Sequence, residues 1–194
     1  MSPSSPTAAV SEAKRPQRAD ARRNYDRLVA AARAELREHE SGASLEDIAR
    51  RAGVGIGTLY RHFPTRLDLL EAVYREDVEA LATHAETLRA TTSPWEGLER
   101  WLSFFIDYAA TKRALFHELV EAVGKDSELL THSRQVITES LTAMLTRAQE
   151  AGAARPDVQP TDLMRLVGGC TMMGILEAEQ RERLLRIVLD GIRR

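Results

Sequence analysis

Between positions 58 and 66 the chain sets Thr58, Tyr60, Arg61, His62 and Arg66, with Arg50 and Arg51 a few residues upstream. These are hydroxyl, phenol, imidazole and guanidinium groups, nearly all hydrogen-bond donors and mostly cationic. Such a set suits phosphate oxygens and the edges of bases. Arginine in particular offers donors whose geometry matches phosphate or guanine. For Arg50 and Arg51 a solvated helix surface is the competing reading, and for Tyr60 a half-buried core position. The chain offers no glycine-rich phosphate loop after a strand, no nucleophile elbow and no metal-spaced histidine pair. An enzyme is therefore not expected, and no cofactor is implied.

A second cluster is Trp101, Phe104, Phe105 and Tyr108, followed by Phe116, His117 and Glu121. Apolar walls with a few polar groups are what a small-molecule pocket needs. An ordinary aromatic core under exposed charges satisfies the same pattern. His117 and Glu121 stand four apart and could share a metal ion, but no further ligand has suitable spacing, so no metal site is expected. Cys170 is the single cysteine. It excludes an internal disulfide and a four-cysteine zinc site, and it reads as a small buried residue with redox chemistry as the alternative.

The elements that carry these residues read as helices throughout. Hydrophobic residues make up 43% and aromatics 5%, with Ala, Leu, Arg and Glu dominant and strand formers sparse. Tyr25, Leu28, Val29, Ala32 and Leu36 repeat at helical spacing from about Asp20 to Glu40, with a stop at Ser41-Gly42. Ser44 and Asp47 form a capping box that opens a short helix ended by Gly53. A second short helix covers about Ile56 to His62, and Phe63 before Pro64 closes it. Thr65 and Asp68 open a long helix with Leu67, Leu70, Tyr74, Val78 and Leu81 on one stripe. Ser93-Pro94 starts the helix of Trp101, and Ala114–Val123 forms a shorter piece. A long helix runs from about Ser127 to Gly152, Thr161 caps another, and Leu184, Leu185, Val188, Leu189 and Ile192 mark the last.

The stretch from Ser44 to Phe63 reads as a helix-turn-helix, two short helices joined by a tight glycine turn. Ile48 and Ala49 face inward, Gly53 accommodates the positive φ of the turn, and Val54 fills the angle between the helices. Leu59 and Phe63, four apart, anchor the second helix. Thr58, Tyr60, Arg61 and His62 are left outward. The series Ile48-Ala49, Ala52-Gly53-Val54 and Leu59-Tyr60-Arg61-His62-Phe63, with Leu28, Ala31 and Ala32 in the first helix, resembles the TetR (tetracycline-repressor) family over about residues 22–75. The chain departs from the family's pattern at Gly55, where Ser is frequent and offers a capping oxygen, and at Arg66, where Lys is usual.

The resemblance implies a three-helix DNA-binding domain followed by an all-α regulatory domain. It implies DNA-facing roles for Thr58, Tyr60 and His62 and a phosphate clamp at Arg66; Arg50, Arg51 and Arg61 join them on charge and position. The expected domains are a disordered basic arm at 1–19, a helix-turn-helix domain at 20–66 and a helical regulatory and dimerisation domain at 67–194. Residues 1–66 hold 12 Lys/Arg against 8 Asp/Glu, a balance of +4, and the remainder is acidic. Lys14, Arg15 and Arg18 of the arm either touch DNA or form a solvated tail.

The expected partners are a pseudo-palindromic DNA operator, a second copy of the chain, and an unknown small-molecule effector. Pairing would use about residues 161–193, where Gly168, Gly169 and Gly174 lie among Val167, Met172, Met173 and Ile175. The alternative is that both stripes serve only the monomer's core. The expected function is a repressor released by its effector; the alternative is a regulator whose carboxy-terminal domain binds a protein instead. No apolar run approaches a membrane span or a signal-peptide core, so a cytoplasmic location is expected.

Overall fold

The computed structural model describes residues 14–38, 44–172 and 177–194. All regular structure among them is helical. The chain divides into two compact units, one reaching Arg66 and one spanning Leu67–Arg194.

Unit 1 holds α1 (Lys14–Glu38), α2 (Leu45–Arg51) and α3 (Ile56–His62). Leu28, Val29 and Ala32 of α1 are buried with Ile48 and Ala49 of α2, and with Leu59 and Phe63 of α3 and its exit. Helix α1 begins six residues before the expected Asp20. Residues 14–19 are thus helical rather than part of a disordered arm, because nothing between Lys14 and Asp20 breaks a helix: Pro16 falls in its first turn, where its missing N–H is not needed. The rest of the arm and the stop at Ser41-Gly42 lie outside the described residues.

Unit 2 contains α4 (Arg66–Thr91) from its second residue onward, α5 (Pro94–Thr111), α6 (Arg113–Val123), α7 (Glu128–Glu150), α8 (Pro160–Met172) and α9 (Ala178–Ile192). Helix α5 is the hub and packs on α7, α8 and α9. Leu98, Trp101 and Leu102 of α5, Leu119 of α6, Leu141, Met144 and Leu145 of α7, and Leu163 and Val167 of α8 are buried. Gly97 sets the closeness of α5 to α7: a Cβ there would stand 2.9 Å from the Met144 side chain and 2.8 Å from Thr92 Oγ1.

The caps follow the sequence closely. Ser93 and Ser127 accept from the backbone N–H groups of Glu96 and Leu130. Helix α8 differs. Pro160, not the residue after Thr161, is its first residue, and the Asp162 carboxylate accepts from the Gln159 N–H at 2.9 Å. Proline is pre-set for the first helical position, so it displaces Thr161 from the cap. The carboxy-terminus is tied back to the α7–α8 loop, where the Arg155 N–H donates to Ile192 O and the Arg194 N–H to Ala153 O. No helix among the described residues is long and apolar enough to cross a membrane.

Candidate nucleic-acid interface and ligand cavity

In unit 1, Ser44 Oγ accepts from the Asp47 N–H at 3.0 Å and its hydroxyl donates to the Asp47 carboxylate at 2.6 Å, so the N-cap of α2 is made. Helix α2 stops in a Schellman motif. Gly53 takes φ +65°, its N–H donates to Arg50 O, and the Val54 N–H donates to Ala49 O. That turn aims α3. Gly55 caps α3 without a side-chain hydrogen bond, as expected for a residue lacking an oxygen. Gly57 leaves the helix face bare, with open space where a Cβ would stand. Phe63 closes the helix in an extended conformation before Pro64.

The outward face of α3 carries Tyr60, 46% exposed, with Ile56, Gly57 and Arg61 also exposed and Thr58 and His62 half-buried. His62 meets the ring of Tyr25 edge-on at 6.4 Å between centroids. Arg61 folds back along its own helix: Nε donates to Gly57 O at 3.0 Å and a terminal nitrogen to Thr58 Oγ1 at 3.2 Å. Both bonds are at the surface, where exchange with water costs little. Arg50 is exposed and pairs with Asp47 within its helix. Arg66, half-buried, is the first residue of α4.

Arg51 departs from expectation. Its guanidinium grips Glu38 at 2.6 and 2.7 Å and Glu35 at 2.9 Å, bolting α2 to α1. The hydrogen bonds to Glu38 and then Glu35 raise its pKa above the ordinary arginine value. Two carboxylates share the guanidinium charge, and the contact ties α2 to α1. Sequence reasoning missed it because nothing local fixes how α2 sits against α1.

Unit 2 holds a partly open cavity of about 170 Å³ lined by residues of α4 to α8. Of the expected aromatic cluster, the structure brings Phe105, Tyr108 and Phe116 to its wall. Trp101 does not reach it. This residue is fully buried, donates from Nε1 to Leu81 O at 3.1 Å and stacks behind Phe105 at 5.3 Å. Phe104 points to the surface beside His84. His117 and Glu121 form a loose surface pair at 3.5 Å in an open groove along α6, which shares Arg113 and Phe116 with the cavity wall; neither residue lines the cavity itself. Trp101 shares the Phe105 face but sits one turn earlier, behind that ring, Phe104 is about 100° round the helix from Phe105, and 117 and 121 lie on the solvent side of α6. Among the described residues no three His, Cys, Asp or Glu side chains are grouped to hold a metal.

The polar part of the wall comes from residues that sequence reasoning did not single out. Lys112 and Arg113 stand at the α5–α6 junction, Arg134 on α7, Tyr74 on α4 and Thr171 on α8. Gly168, expected at a dimer contact, is also part of this wall. Lys112 is buried and ion-paired with buried Asp77 at 2.7 Å. The hydroxyls of Tyr74 and Tyr108 share a hydrogen bond, and burial raises the pKa of both above the ordinary phenol value, most strongly for Tyr108. Asp77 carried a signal, being a charge on the buried stripe of Tyr74, Val78 and Leu81; its partner, 35 residues away, carried none.

A capped, glycine-turned pair of short helices with a bare, donor-bearing second helix defines unit 1 as a helix-turn-helix DNA-binding module. The chain belongs to the TetR family of transcriptional regulators. Residues 28–73 match the model described as bacterial regulatory proteins of the tetR family. Residues 93–194 match the carboxy-terminal domain of SbtR-like transcriptional regulators. The crystal structure of the TetR transcriptional regulator SCO0520 from Streptomyces coelicolor is 41% identical, with a TM-score of 0.76, over 87% of this chain and 98% of that one. A TetR transcription regulatory protein from Mycobacterium vanbaalenii is 34% identical, with a TM-score of 0.68, over 92% and 100%. The HTH-type transcriptional regulator SAR0097 of Staphylococcus aureus (strain MRSA252) is 30% identical over 126 residues; the match covers 64% of each chain.

Proposed function

We propose that this regulator is a homodimeric repressor that grips a pseudo-palindromic operator through α3 and is released when a small molecule enters the unit 2 cavity. The observation that carries the reading is that cavity, walled by aromatic and aliphatic side chains with a few convergent polar groups, on a chain whose other unit presents a reader helix. It favours a metabolite over a protein partner for unit 2. Thr58, Tyr60, Arg61 and His62 face the groove, and Arg50 and Arg66 meet phosphates. Arg66 and the cavity residue Tyr74 belong to one continuous helix, α4, which makes that helix the lever. A ligand that favours the wrongly spaced readers would weaken operator binding by roughly 5–150-fold. Pairing is supported by Leu166 of α8 and Ile187 of α9, which are 50% and 67% exposed, whereas Leu189 and Ile192 are buried within the monomer. Gly174, Met173 and Ile175 lie outside the described residues.

The test starts with operator fragments selected from promoter DNA. The free protein should sediment at twice 21.7 kDa and select sites with two-fold symmetry. Tyr60→Ala and Arg66→Ala should weaken binding to all sequences, and Arg66→Ala should reduce the salt slope by about one phosphate contact. Thr58 substitutions should change sequence preference. Arg51→Ala should lower the melting point of unit 1 and leave the salt slope per bound dimer unaltered. A monomer bound to asymmetric sites, or unchanged affinity in both Tyr60 and Arg66 variants, refutes the reading.

A further inference from the structure

We infer that the unit 2 cavity takes a compact, single-ring-sized apolar molecule bearing one acidic group, an aromatic or alicyclic monocarboxylate by chemical class. This rests on the effector reading above and adds the ligand's size and charge.

Size comes first. The cavity holds about 170 Å³. An apolar protein cavity of roughly 150 Å³ accommodates benzene, so a single ring fills the space and a fused polycyclic molecule extends out through its open side. The ring would lie among Phe105, Phe116 and Ile137.

Charge follows from the wall. Three cationic side chains border the cavity, Lys112, Arg113 and Arg134, and among the described residues no carboxylate does. Asp77 is matched to Lys112 at 2.7 Å, and Glu118 and Glu121 line the surface groove that meets the cavity at Arg113 and Phe116. Neither Arg113 nor Arg134 has a carboxylate partner among the described residues; Arg134 donates to the Lys125 carbonyl at a long 3.5 Å. Arg113, half-buried, and Arg134, exposed, together attract one anionic group and repel a cation, with water screening the Arg134 charge in part. The hydroxyl pair of Tyr74 and Tyr108 stays protonated, since burial raises both pKa values, and adds neutral hydrogen-bonding capacity. Arg113 and Arg134 sit on different helices, α6 and α7, so an anion bridging them would draw these helices together.

The test uses the full chain and three probes of equal size: sodium benzoate, benzamide and benzylamine. Calorimetric titration and the thermal midpoint are read for each. Benzoate should bind at least about tenfold tighter than benzamide, the size expected for a charge-assisted hydrogen bond, and benzylamine should bind weakest. The double variant Arg113→Gln/Arg134→Gln should remove the preference for benzoate over benzamide. Equal or tighter binding of benzamide or benzylamine overturns the inference. So does benzoate affinity that the double variant leaves unaltered, and so does silence from all three probes at millimolar concentration. Operator binding is measured in parallel. A neutral ring that releases DNA keeps the effector reading and removes the acidic class. Benzoate binding with undiminished operator affinity keeps the acidic class and removes effector release.

Discussion

Lys112→Ala should lower the stability of unit 2 by about 3–5 kcal/mol, the usual cost of leaving one member of a buried ion pair alone. The side chains of Lys112 and Asp77 are 4% and 8% exposed and 2.7 Å apart. Removing the ammonium leaves the Asp77 carboxylate without its lysine on a helix face shared with buried Tyr74, Val78 and Leu81, where solvation is poor. Against a total stability of about 5–15 kcal/mol, that is enough to unfold a large fraction of molecules near physiological temperature. The contrast variant is Asp77→Leu/Lys112→Met, which removes both charges at similar volume and should be neutral or stabilising. Both tryptophans, Trp95 and Trp101, lie in unit 2, so fluorescence during urea unfolding reports that unit alone. The single variant should shift the midpoint to lower urea without changing the slope. A loss below about 1 kcal/mol would show that the Asp77 charge is met by solvent or by another group.

The reader was legible because its determinants are local. Ser44 and Asp47 are three apart, Gly53 alone takes φ +65° in that turn, and Leu59 and Phe63 repeat at one helical turn, so a window of twenty residues contains the whole device. The exposure of Tyr60 follows from the same periodicity. Arg51 was illegible because its partners, Glu35 and Glu38, sit across an α1–α2 register that no short window encodes. The cavity shows the same limit on a larger scale. A run of aromatics on α5 signals an apolar helix but not which of its faces meets empty space, so Trp101 and Phe104 were grouped with Phe105 and Tyr108. The polar wall is assembled from α4, the α5–α6 junction, α7 and α8, and those residues converge only after the helices pack. Gly168 reads in the sequence as a small residue for helix pairing, and only the packed structure shows that it also lines the cavity.

Trp101→Ala should cost about 3–5 kcal/mol and should also change what the cavity accepts. Trp101 is the largest fully buried side chain among the described residues, and its loss leaves a void that the surrounding helices fill only in part. It also removes the hydrogen bond to Leu81 O, the link from α5 to the middle of α4. The ring of Trp101 lies behind Phe105 at 5.3 Å, so the cavity wall is held in place by a residue that does not touch the cavity. Without that support Phe105 can retreat, and the cavity grows toward the vacated space. Trp101→Phe keeps a flat ring behind Phe105 and loses only the indole donor and part of the volume, so it should cost about 1–2 kcal/mol and leave ligand size selection as in the parent. The measurement is urea unfolding combined with titration of benzoate against 2-naphthoate, an acid with a second fused ring. In the parent and in Trp101→Phe, benzoate should bind tighter than 2-naphthoate. In Trp101→Ala the order should reverse, at a temperature where unit 2 remains folded. An unchanged order in folded Trp101→Ala would mean that Phe105 is fixed by its other neighbours, among them Tyr108, whose ring stacks 6.4 Å away one turn further along α5.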